Sequence, residues 1–585
     1  MEIHYTNEKN LQIIMALLKA HGVRKIITSP GSTNHTLVAS MQNDPWFEMY
    51  SSVDERSAAY MACGLSAESG EPVVITCTEA TASRNYMPGL TEAYYRKLPI
   101  LAIATTHGHR LAGQLKSQIL DHSALPVDVA KKNIFIPICQ TEADCKYTEL
   151  KVNEAILELT RHGGGPVYLN VETNAINSRD YSCTQLPKVK TIMRYTCDSS
   201  LPDFPDGKIG IYIGSHKCFN EKELSAIDTF CAVNNAVAFC DHTSGYKGRF
   251  RVDYSIIGGQ EEFNDRFTDW DLMIHIGEVS GDYYSSSSCG SVKAVWRVSE
   301  DGELRDTFGK LTAVFEMKES TFFSHYSSGK KPVERHVIEH YRAMCDETRN
   351  RISDLPFSNI WIASQIASRL PQNSEIHFSI LSSLRSWNLF ELPESVQSNS
   401  NVGGFGIDGG VSSFIGASLA NRKKLYLGVF GDLAFFYDLN AIGNHHIGNN
   451  IRIMLINNGK GAEFRLYQHP ASRLGDYADA HITAGGHFGY KSHSLMKGMA
   501  ESLGFEYISA SGKDEFMQIC EKFISPEMSI RPLFFEVFTN DTDESEALYK
   551  CRHLVKSPFS IHDMKKVVKS LMGAKVVDTV KRVIK

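Results

Sequence analysis

The chain lacks several features that would place it in a membrane or on nucleic acid. No stretch of its 585 residues approaches the roughly 20 consecutive apolar residues that a membrane-spanning helix needs. The N-terminus, MEIHYTNEKN, has acidic and polar residues where a signal peptide has a basic start. The formal charge of −6 gives no reason to expect nucleic acid or an anionic membrane as partner. We therefore expect a cytoplasmic protein.

Two common kinds of site are also missing. The 13 cysteines include no CxxC pair and no Cys/His ligand spacing, so no zinc site is expected. Several of them, including Cys77 and Cys139, lie in apolar segments, as free thiols do in a reducing compartment. The segment GKIGIYIGS contains neither GxGxxG nor GK[ST], so it is interpreted as a structural strand.

Short apolar runs alternate with helical segments along most of the chain. This alternation predicts an α/β fold with three doubly wound parallel sheets, and the length suits about three domains. We expect domains at residues 1–179, 208–330 and 358–541, joined by linkers at 180–207 and 331–357. In the first domain, strands are predicted at 25–28, 49–52, 72–77 and 99–104, with a return strand in GGGPVYLNVET.

Residues 542–585 form a predicted C-terminal helical extension. Met564, Val567, Val568 and Leu571 recur at helical spacing opposite lysines. Two interpretations stay open: an amphipathic helix that packs on the body or on a partner subunit, or a helix that lies on a membrane surface through its basic face.

The segment GDLAFFYDLNAIGNHHIGNNIRIMLINN carries the first chemical motif. A buried strand over 425–430 ends at Gly431-Asp432, and a helix predicted over 433–446 leads to a second strand that ends before Asn458. The Asp432 carboxylate, the Asn458 amide oxygen and the Lys460 main-chain carbonyl would converge at one sheet edge, and Mg²⁺ prefers such oxygen ligands. Alternatively, Asp432 is only a helix N-cap. The whole pattern resembles the thiamine diphosphate (ThDP) fingerprint of 2-oxo acid decarboxylases and carboligases.

A second motif lies in the first domain. Ser29-Pro30-Gly31-Ser32 follows one strand, and SVDERSAA ends another and opens a helix. In ThDP enzymes, a glutamate at this point hydrogen-bonds the 1′ nitrogen of the aminopyrimidine, and the resemblance gives this catalytic role to Glu55. The alternative is that Glu55 is an acidic first-turn residue favoured by the helix dipole.

The resemblance narrows to one family, MenD, whose members add a succinyl-semialdehyde unit from 2-oxoglutarate to isochorismate. VDERSAAYMACGLSAESGEPVVITCTEATASRNYMPGLTEAYYRKLPIL and SNVGGFGIDGGVSSFIGASLA look like its signature regions, and the likeness runs from about Asn7 to Leu548. It implies ThDP and Mg²⁺ as cofactors, and a homodimer or homotetramer with its active sites at subunit interfaces. Ile407 matches the apolar residue that bends ThDP, although it could be an ordinary core residue. The implied cofactor-binding residues are Gly31, Ser32, Gly404, Gly406, Ile407, Gly431, Asp432 and Leu433.

The substrate pocket departs from the family pattern. Thr33 and Val402 stand where the family has arginines, Arg385 is displaced from another expected arginine, and Gln118 matches a substrate-side glutamine. Arginine binds carboxylates bidentately, so several losses at once argue for a changed substrate. Possible replacements are Arg84, His107, Arg110 and His122.

These features predict a ThDP- and Mg²⁺-dependent enzyme that decarboxylates a small 2-oxo acid donor and passes the acyl unit to an acceptor. The alternatives are a genuine 2-succinyl-5-enolpyruvyl-6-hydroxy-3-cyclohexene-1-carboxylate (SEPHCHC) synthase with a rearranged pocket, a simple decarboxylase that releases an aldehyde, and a catalytically silent scaffold.

Overall fold

The computed structural model describes residues 3–121, 124–174, 180–262, 269–334, 337–486 and 492–555. The chain divides into two compact units. The first contains Met1–Ser200 and Gly302–Glu316, and the second contains Leu201–Asp301 and the residues from Met317 onward.

The first part of the chain builds a six-stranded sheet in the order β2-β1-β3-β4-β6-β5, with every neighbouring pair parallel. Its elements are α1 (Lys9–Ala20), β1 (Lys25–Thr28), α2 (His35–Gln42), β2 (Glu48–Ser51), α3 (Glu55–Ser69), β3 (Val73–Thr78), α4 (Thr81–Asn85), α5 (Met87–Arg96), β4 (Ile100–Thr106), β5 (Asn133–Ile136), α6 (Glu142–Glu158) and β6 (Val167–Glu172).

Alternate residues of each strand face opposite layers of helices. Val74 and Leu101 pack with residues of α1 and α6, whereas Val73 and Ile75 pack with the alanine-rich face of α3 and with α5. Because both faces of the sheet are covered, its strands are apolar along their whole length rather than alternating. The carboxyl ends of these strands form one edge, at which the candidate residues of the first unit lie.

The middle sheet has seven strands. The run β10-β9-β8-β11-β12 belongs to the second unit, and the parallel pair β13-β7 belongs to the first. The elements are β7 (Met193–Thr196), β8 (Ile209–Ile213), α7 (Glu221–Asn234), β9 (Val237–Cys240), β10 (Arg251–Asp253), α8 (Ser255–Gly258), β11 (Leu272–Ile276), α9 (Tyr283–Cys289), β12 (Ala294–Ser299), β13 (Leu311–Glu316), α10 (Glu319–Ser327) and α11 (Val337–Asn350).

The third sheet has six parallel strands in the order β15-β14-β16-β17-β19-β18. Its elements are α12 (Asn359–Ile366), β14 (Glu375–Phe378), α13 (Ser382–Trp387), β15 (Gln397–Ser400), α14 (Gly410–Ala420), β16 (Tyr426–Gly431), α15 (Asp432–Tyr437), β17 (Ile451–Asn457), α16 (Leu495–Ser502), β18 (Glu506–Ala510), α17 (Lys513–Ile524), β19 (Leu533–Phe538) and α18 (Asp541–Arg552).

The prediction of an α/β fold with three parallel sheets is confirmed, while the proposed domain boundaries remain a prediction. Three details were wrong. The stretch 180–207 contains β7, and 331–357 contains α11. The helix predicted over 433–446 ends at Tyr437 and is followed by a short 3₁₀ helix, Leu439–Gly443. Asp438 accounts for this ending because its carboxylate accepts hydrogen bonds from the backbone N–H and the hydroxyl of Ser412.

No helix among the described residues combines the length and apolarity that crossing a membrane requires. The extension predicted over 542–585 begins inside α18. Its amphipathic segment around Met564 lies outside the described residues, and so does His122.

Candidate active site

Asp432 lies at the carboxyl edge of the third sheet and joins two strand ends. It is the first residue of α15, and the N-cap is Gly431 rather than Asp432. One carboxylate oxygen accepts from the Leu433 N–H at 2.6 Å. The other accepts from the N–H groups of Asn458 and Gly459, at 3.1 and 2.5 Å, just after β17. The carboxylate therefore fixes the Asn458 loop against the end of β16.

Asn458 contributes an oxygen without a partner. The residue is 8% exposed, and its side-chain Oδ1 has no hydrogen bond to any described residue. Leaving a buried polar oxygen unpaired costs about 1–3 kcal/mol, so a bound water or ion at this position would be stabilising. An amide oxygen next to a carboxylate suits a hard divalent cation that takes its remaining ligands from phosphate and water. These residues fit Mg²⁺ bound together with a diphosphate.

The Lys460 side chain does not point into this group of oxygens as a free cation. Its Nζ pairs with Asp479 at 2.8 Å and with Asp541 at 3.4 Å. These ion pairs occupy the Lys460 ammonium group, and the main-chain carbonyl of Lys460 stays the predicted third metal ligand. Among the described residues, no group of three or more His, Cys, Asp or Glu side chains is arranged to hold a metal ion.

Burial raises the pKa of Asp432 to about 7, against the lowering effect of the backbone N–H groups of Leu433, Gly459 and Asn458. The cause is desolvation, which disfavours the charged form of the carboxyl group. A bound divalent cation would lower the pKa of Asp432 again because the cation stabilises the carboxylate.

The loop between β15 and α14 holds the predicted pyrimidine-gripping residues. Gly404 and Gly406 are exposed, and Ile407 is half-buried rather than part of a closed core. Apart from the chain neighbours, no atom of the described residues lies within 4 Å of a Cβ built on Gly404 or on Gly431. There is consequently room for a ligand beside both backbones, and protein packing alone does not require glycine at either position.

At the carboxyl edge of the first sheet, Gly31 and Thr33 pack against the end of β3. A Cβ on Gly31 would lie 2.7 Å from the Thr78 Cβ, so this close approach requires glycine. The Thr33 hydroxyl lies 2.5 Å from the Thr78 hydroxyl and 2.7 Å from that of Thr105. Thr33 is 1% exposed and its side chain is thus committed to neutral internal contacts. Ser32, by contrast, is exposed.

Glu55 is the first residue of α3 and is half-buried. Asp54 caps the helix, with its side chain accepting from the Ser57 N–H at 2.8 Å. Glu55 is therefore not needed as the cap, although it does lie in the first turn, as the helix-dipole alternative requires. The structure leaves both interpretations of Glu55 in place.

The chain matches known proteins over almost its full length. Residues 9–125 match the family model described as "Thiamine pyrophosphate enzyme, N-terminal TPP binding domain". SEPHCHC synthase of Phocaeicola vulgatus is 30% identical over 94% of this chain and 99% of its own length. Those of Bacteroides fragilis and Bacteroides thetaiotaomicron are also 30% identical, over 94% of this chain and their full lengths. This chain belongs to the SEPHCHC synthase family of thiamine diphosphate enzymes.

Within this family framework, the described substrate candidates of the first unit differ in exposure and contacts. Arg84 donates through Nη2 to the Asp121 carbonyl at 2.7 Å. His107 follows β4 and is half-buried, and burial lowers its pKa. Gln118 is exposed and has a positive φ of 64°. Their roles remain predictions.

In the second unit, the family-aligned positions are buried. Val402 is 3% exposed. Arg385, on α13, directs both terminal guanidinium nitrogens at the carboxylate of Glu463, at 2.8 and 2.9 Å. Sequence reasoning identified Arg385 but missed its partner, because the two residues lie 78 positions apart.

Sequence reasoning also missed Glu79, which follows β3 directly. It is 1% exposed, and neither carboxylate oxygen has a hydrogen bond within the described part of the chain. Burial raises the pKa of Glu79 to about 7, against a lowering effect from Thr106. The only signal in the sequence was an acidic residue at the end of an apolar strand.

Proposed function

We propose that this chain is a ThDP- and Mg²⁺-dependent enzyme that decarboxylates a 2-oxo acid and joins the remaining acyl unit to an acceptor. The observation that carries the proposal is the pairing of the Asp432 carboxylate with a loop whose Asn458 amide oxygen has no partner in the described structure. Membership in a family of thiamine diphosphate enzymes indicates the cofactor, whose diphosphate and Mg²⁺ suit Asp432 and Asn458.

Each site residue then has a task. Asp432, Asn458 and the Lys460 carbonyl would hold Mg²⁺, while Glu55 would share a proton with the 1′ nitrogen of the aminopyrimidine. Bound ThDP supplies an electron sink for the pair left on the 2-oxo carbon as CO₂ departs, which makes that carbon nucleophilic. The apolar side chain of Ile407 would keep water away and orient the cofactor.

We further propose that the substrates differ from those that the relatives' name implies. Three positions support this. Thr33 and Val402 are buried neutral residues, and the guanidinium of Arg385 is already occupied by Glu463. Each missing bidentate arginine removes a contact worth about 1.5–3 kcal/mol, so a multiply charged donor and acceptor pair would bind weakly.

A second candidate is genuine SEPHCHC synthase activity. Identity of 30% across nearly the whole length of relatives with that name favours it. It requires that moved basic residues, such as Arg84, take over carboxylate binding. A third outcome, decarboxylation with release of an aldehyde, belongs to the same site if no acceptor is used.

Assembly is part of the proposal. In the family resemblance, the pyrimidine end of ThDP lies on the first domain of one subunit and the diphosphate end on the third domain of another. The enzyme would thus be at least a homodimer, with Glu55 and Asp432 of each site supplied by different copies. The cytoplasmic location also remains a prediction.

The experiment compares two reactions of the purified enzyme with ThDP and Mg²⁺. We expect CO₂ release from a small monocarboxylic 2-oxo acid such as pyruvate and slow consumption of isochorismate in the presence of 2-oxoglutarate. Rapid isochorismate consumption at micromolar concentrations would instead establish the second candidate. A cofactor titration without binding would identify a silent scaffold.

A further inference from the structure

The Arg385–Glu463 ion pair is the strongest feature of the second unit that the proposed function does not yet use. Both terminal nitrogens of Arg385 bond to different oxygens of the Glu463 carboxylate, and the Ser382 hydroxyl lies 3.3 Å from the same carboxylate. The Arg385 side chain is 9% exposed and that of Glu463 is 21% exposed. The geometry is the fork-to-carboxylate contact by which arginine recognises carboxylic acids.

Both residues lie beside the candidate cofactor site. Glu463 is in the 3₁₀ helix Ala462–Arg465, which begins two residues after Lys460. Arg385 is on α13, and the turn before that helix touches the other cofactor loop, because the Ser379 hydroxyl accepts from the Gly431 N–H at 3.1 Å. The ion pair therefore links the 3₁₀ helix that follows the Lys460 loop to a helix whose preceding turn contacts Gly431.

Apolar and aromatic side chains lie near Arg385. A Cβ on Gly281 would lie 2.3 Å from Leu384, the residue before Arg385, and 2.9 Å from Val402, so these two side chains pack tightly against Gly281. The rings of Tyr283 and Phe405 lie 5.7 Å apart in a tilted arrangement, and both Tyr283 and Tyr284 are close enough to Arg385 to raise its pKa. Burial lowers the pKa of Arg385 and the Glu463 carboxylate raises it, with a net rise, so the arginine stays charged.

We propose that Glu463 is a specificity-determining residue: its carboxylate occupies the guanidinium of Arg385 and restricts the donor to 2-oxo acids without a second, distal carboxylate. This inference rests on the proposed function. A donor with a distal carboxylate would have to displace Glu463 from its bidentate contact. Its distal carboxylate would also lie next to the displaced carboxylate of Glu463, and a site with little water would screen the repulsion between these two negative charges poorly.

The test uses two donors of equal chain length, 2-oxoglutarate and 2-oxovalerate, which differ in a terminal carboxylate against a methyl group. ThDP-dependent CO₂ release is measured with each donor. Wild-type enzyme should prefer 2-oxovalerate. In Glu463→Gln the freed guanidinium should raise the ratio of kcat/KM for 2-oxoglutarate to kcat/KM for 2-oxovalerate about 10- to 100-fold, the value of one charge-assisted contact.

Two further variants separate this role from general effects. In Arg385→Gln/Glu463→Gln the gain in this donor ratio should be lost. Glu521→Gln breaks an exposed Arg–Glu pair, with Arg369, in the same unit and should change neither donor. Cofactor-dependent thermal stabilisation shows which variants are folded.

Several results would overturn the inference. The first would be that wild-type enzyme uses 2-oxoglutarate at least as well as 2-oxovalerate, and this measurement needs no variant. Others are an unchanged donor ratio in folded Glu463→Gln, loss of both donors in that variant, or a gain that survives in the double variant. If wild-type enzyme released CO₂ from no 2-oxo acid at all, the proposed function itself would fail.

Discussion

Asn458 allows the ligand site to be tested apart from catalysis. Its Oδ1 is unpaired among the described residues, while its backbone N–H bonds to Asp432 and would survive any side-chain change. Asn458→Leu keeps the volume and removes the unpaired oxygen. Since burying such an oxygen costs about 1–3 kcal/mol, we expect the free energy of unfolding of the apo-protein to stay equal or rise by about 1 kcal/mol.

The loaded protein should behave in the opposite way. At 100 times the dissociation constant, ThDP and Mg²⁺ stabilise wild-type protein by about 2.7 kcal/mol, and Asn458→Leu should lose most of this stabilisation. The assay is denaturation with and without the cofactors. Asn457→Leu is the control: it also removes an Oδ1 that is unpaired among the described residues, but it breaks the bond that the Asn457 Nδ2 donates to Glu536 at 2.7 Å, so it should destabilise the apo-protein. A less stable apo-protein with a full cofactor response in Asn458→Leu would refute the reasoning.

Three further predictions follow from the site. Glu55→Gln keeps the side-chain shape, so it should bind ThDP in a calorimetric titration yet lose most turnover; wild-type rates would exclude the proposed role. Mixed Glu55→Gln and Asp432→Ala subunits should regain some activity after exchange, since one site of each hybrid dimer has both residues intact, whereas an active monomer in light scattering would contradict the interface site. The pKa of Glu79 is about 7 in the fold against 4.5 unperturbed, so its burial lowers the free energy of unfolding as the pH rises from about 4.5 to about 7. Glu79→Gln should therefore raise the free energy of unfolding by about 1–3 kcal/mol at pH 8 and leave it unchanged below pH 4. Parallel profiles of unfolding free energy against pH for the two proteins would disprove this.

The sequence predicted the elements whose signal is local. The apolar run at 25–28 is β1 to the residue, and the run at 425–430 is β16 shifted by one position. Elements with weak apolar signals were missed. β7, MRYT, has no buried residue and pairs with β13, more than a hundred residues away. For α6, which is mostly polar, the local signal is a capping box between Thr141 and Asp144 at the start of the helix.

The same distinction holds for the site. Gly431-Asp432 and Asn458 were found because each follows an apolar strand, and parallel strands bring their carboxyl ends to one edge. The Arg385–Glu463 pair could not be found, since 78 residues separate its members and nothing local in either segment indicates the other. The predicted length of the helix after Asp432 was wrong because Asp438 accepts a hydrogen bond from Ser412, which is again a non-local contact.

The most direct measurement is CO₂ release from a 2-oxo acid by the purified full-length protein, with and without ThDP and Mg²⁺, and beside Glu55→Gln. The account predicts release from a monocarboxylic donor such as pyruvate only when both cofactors are present, and almost none from the variant. Release that is independent of ThDP, or equal in Glu55→Gln, would contradict it.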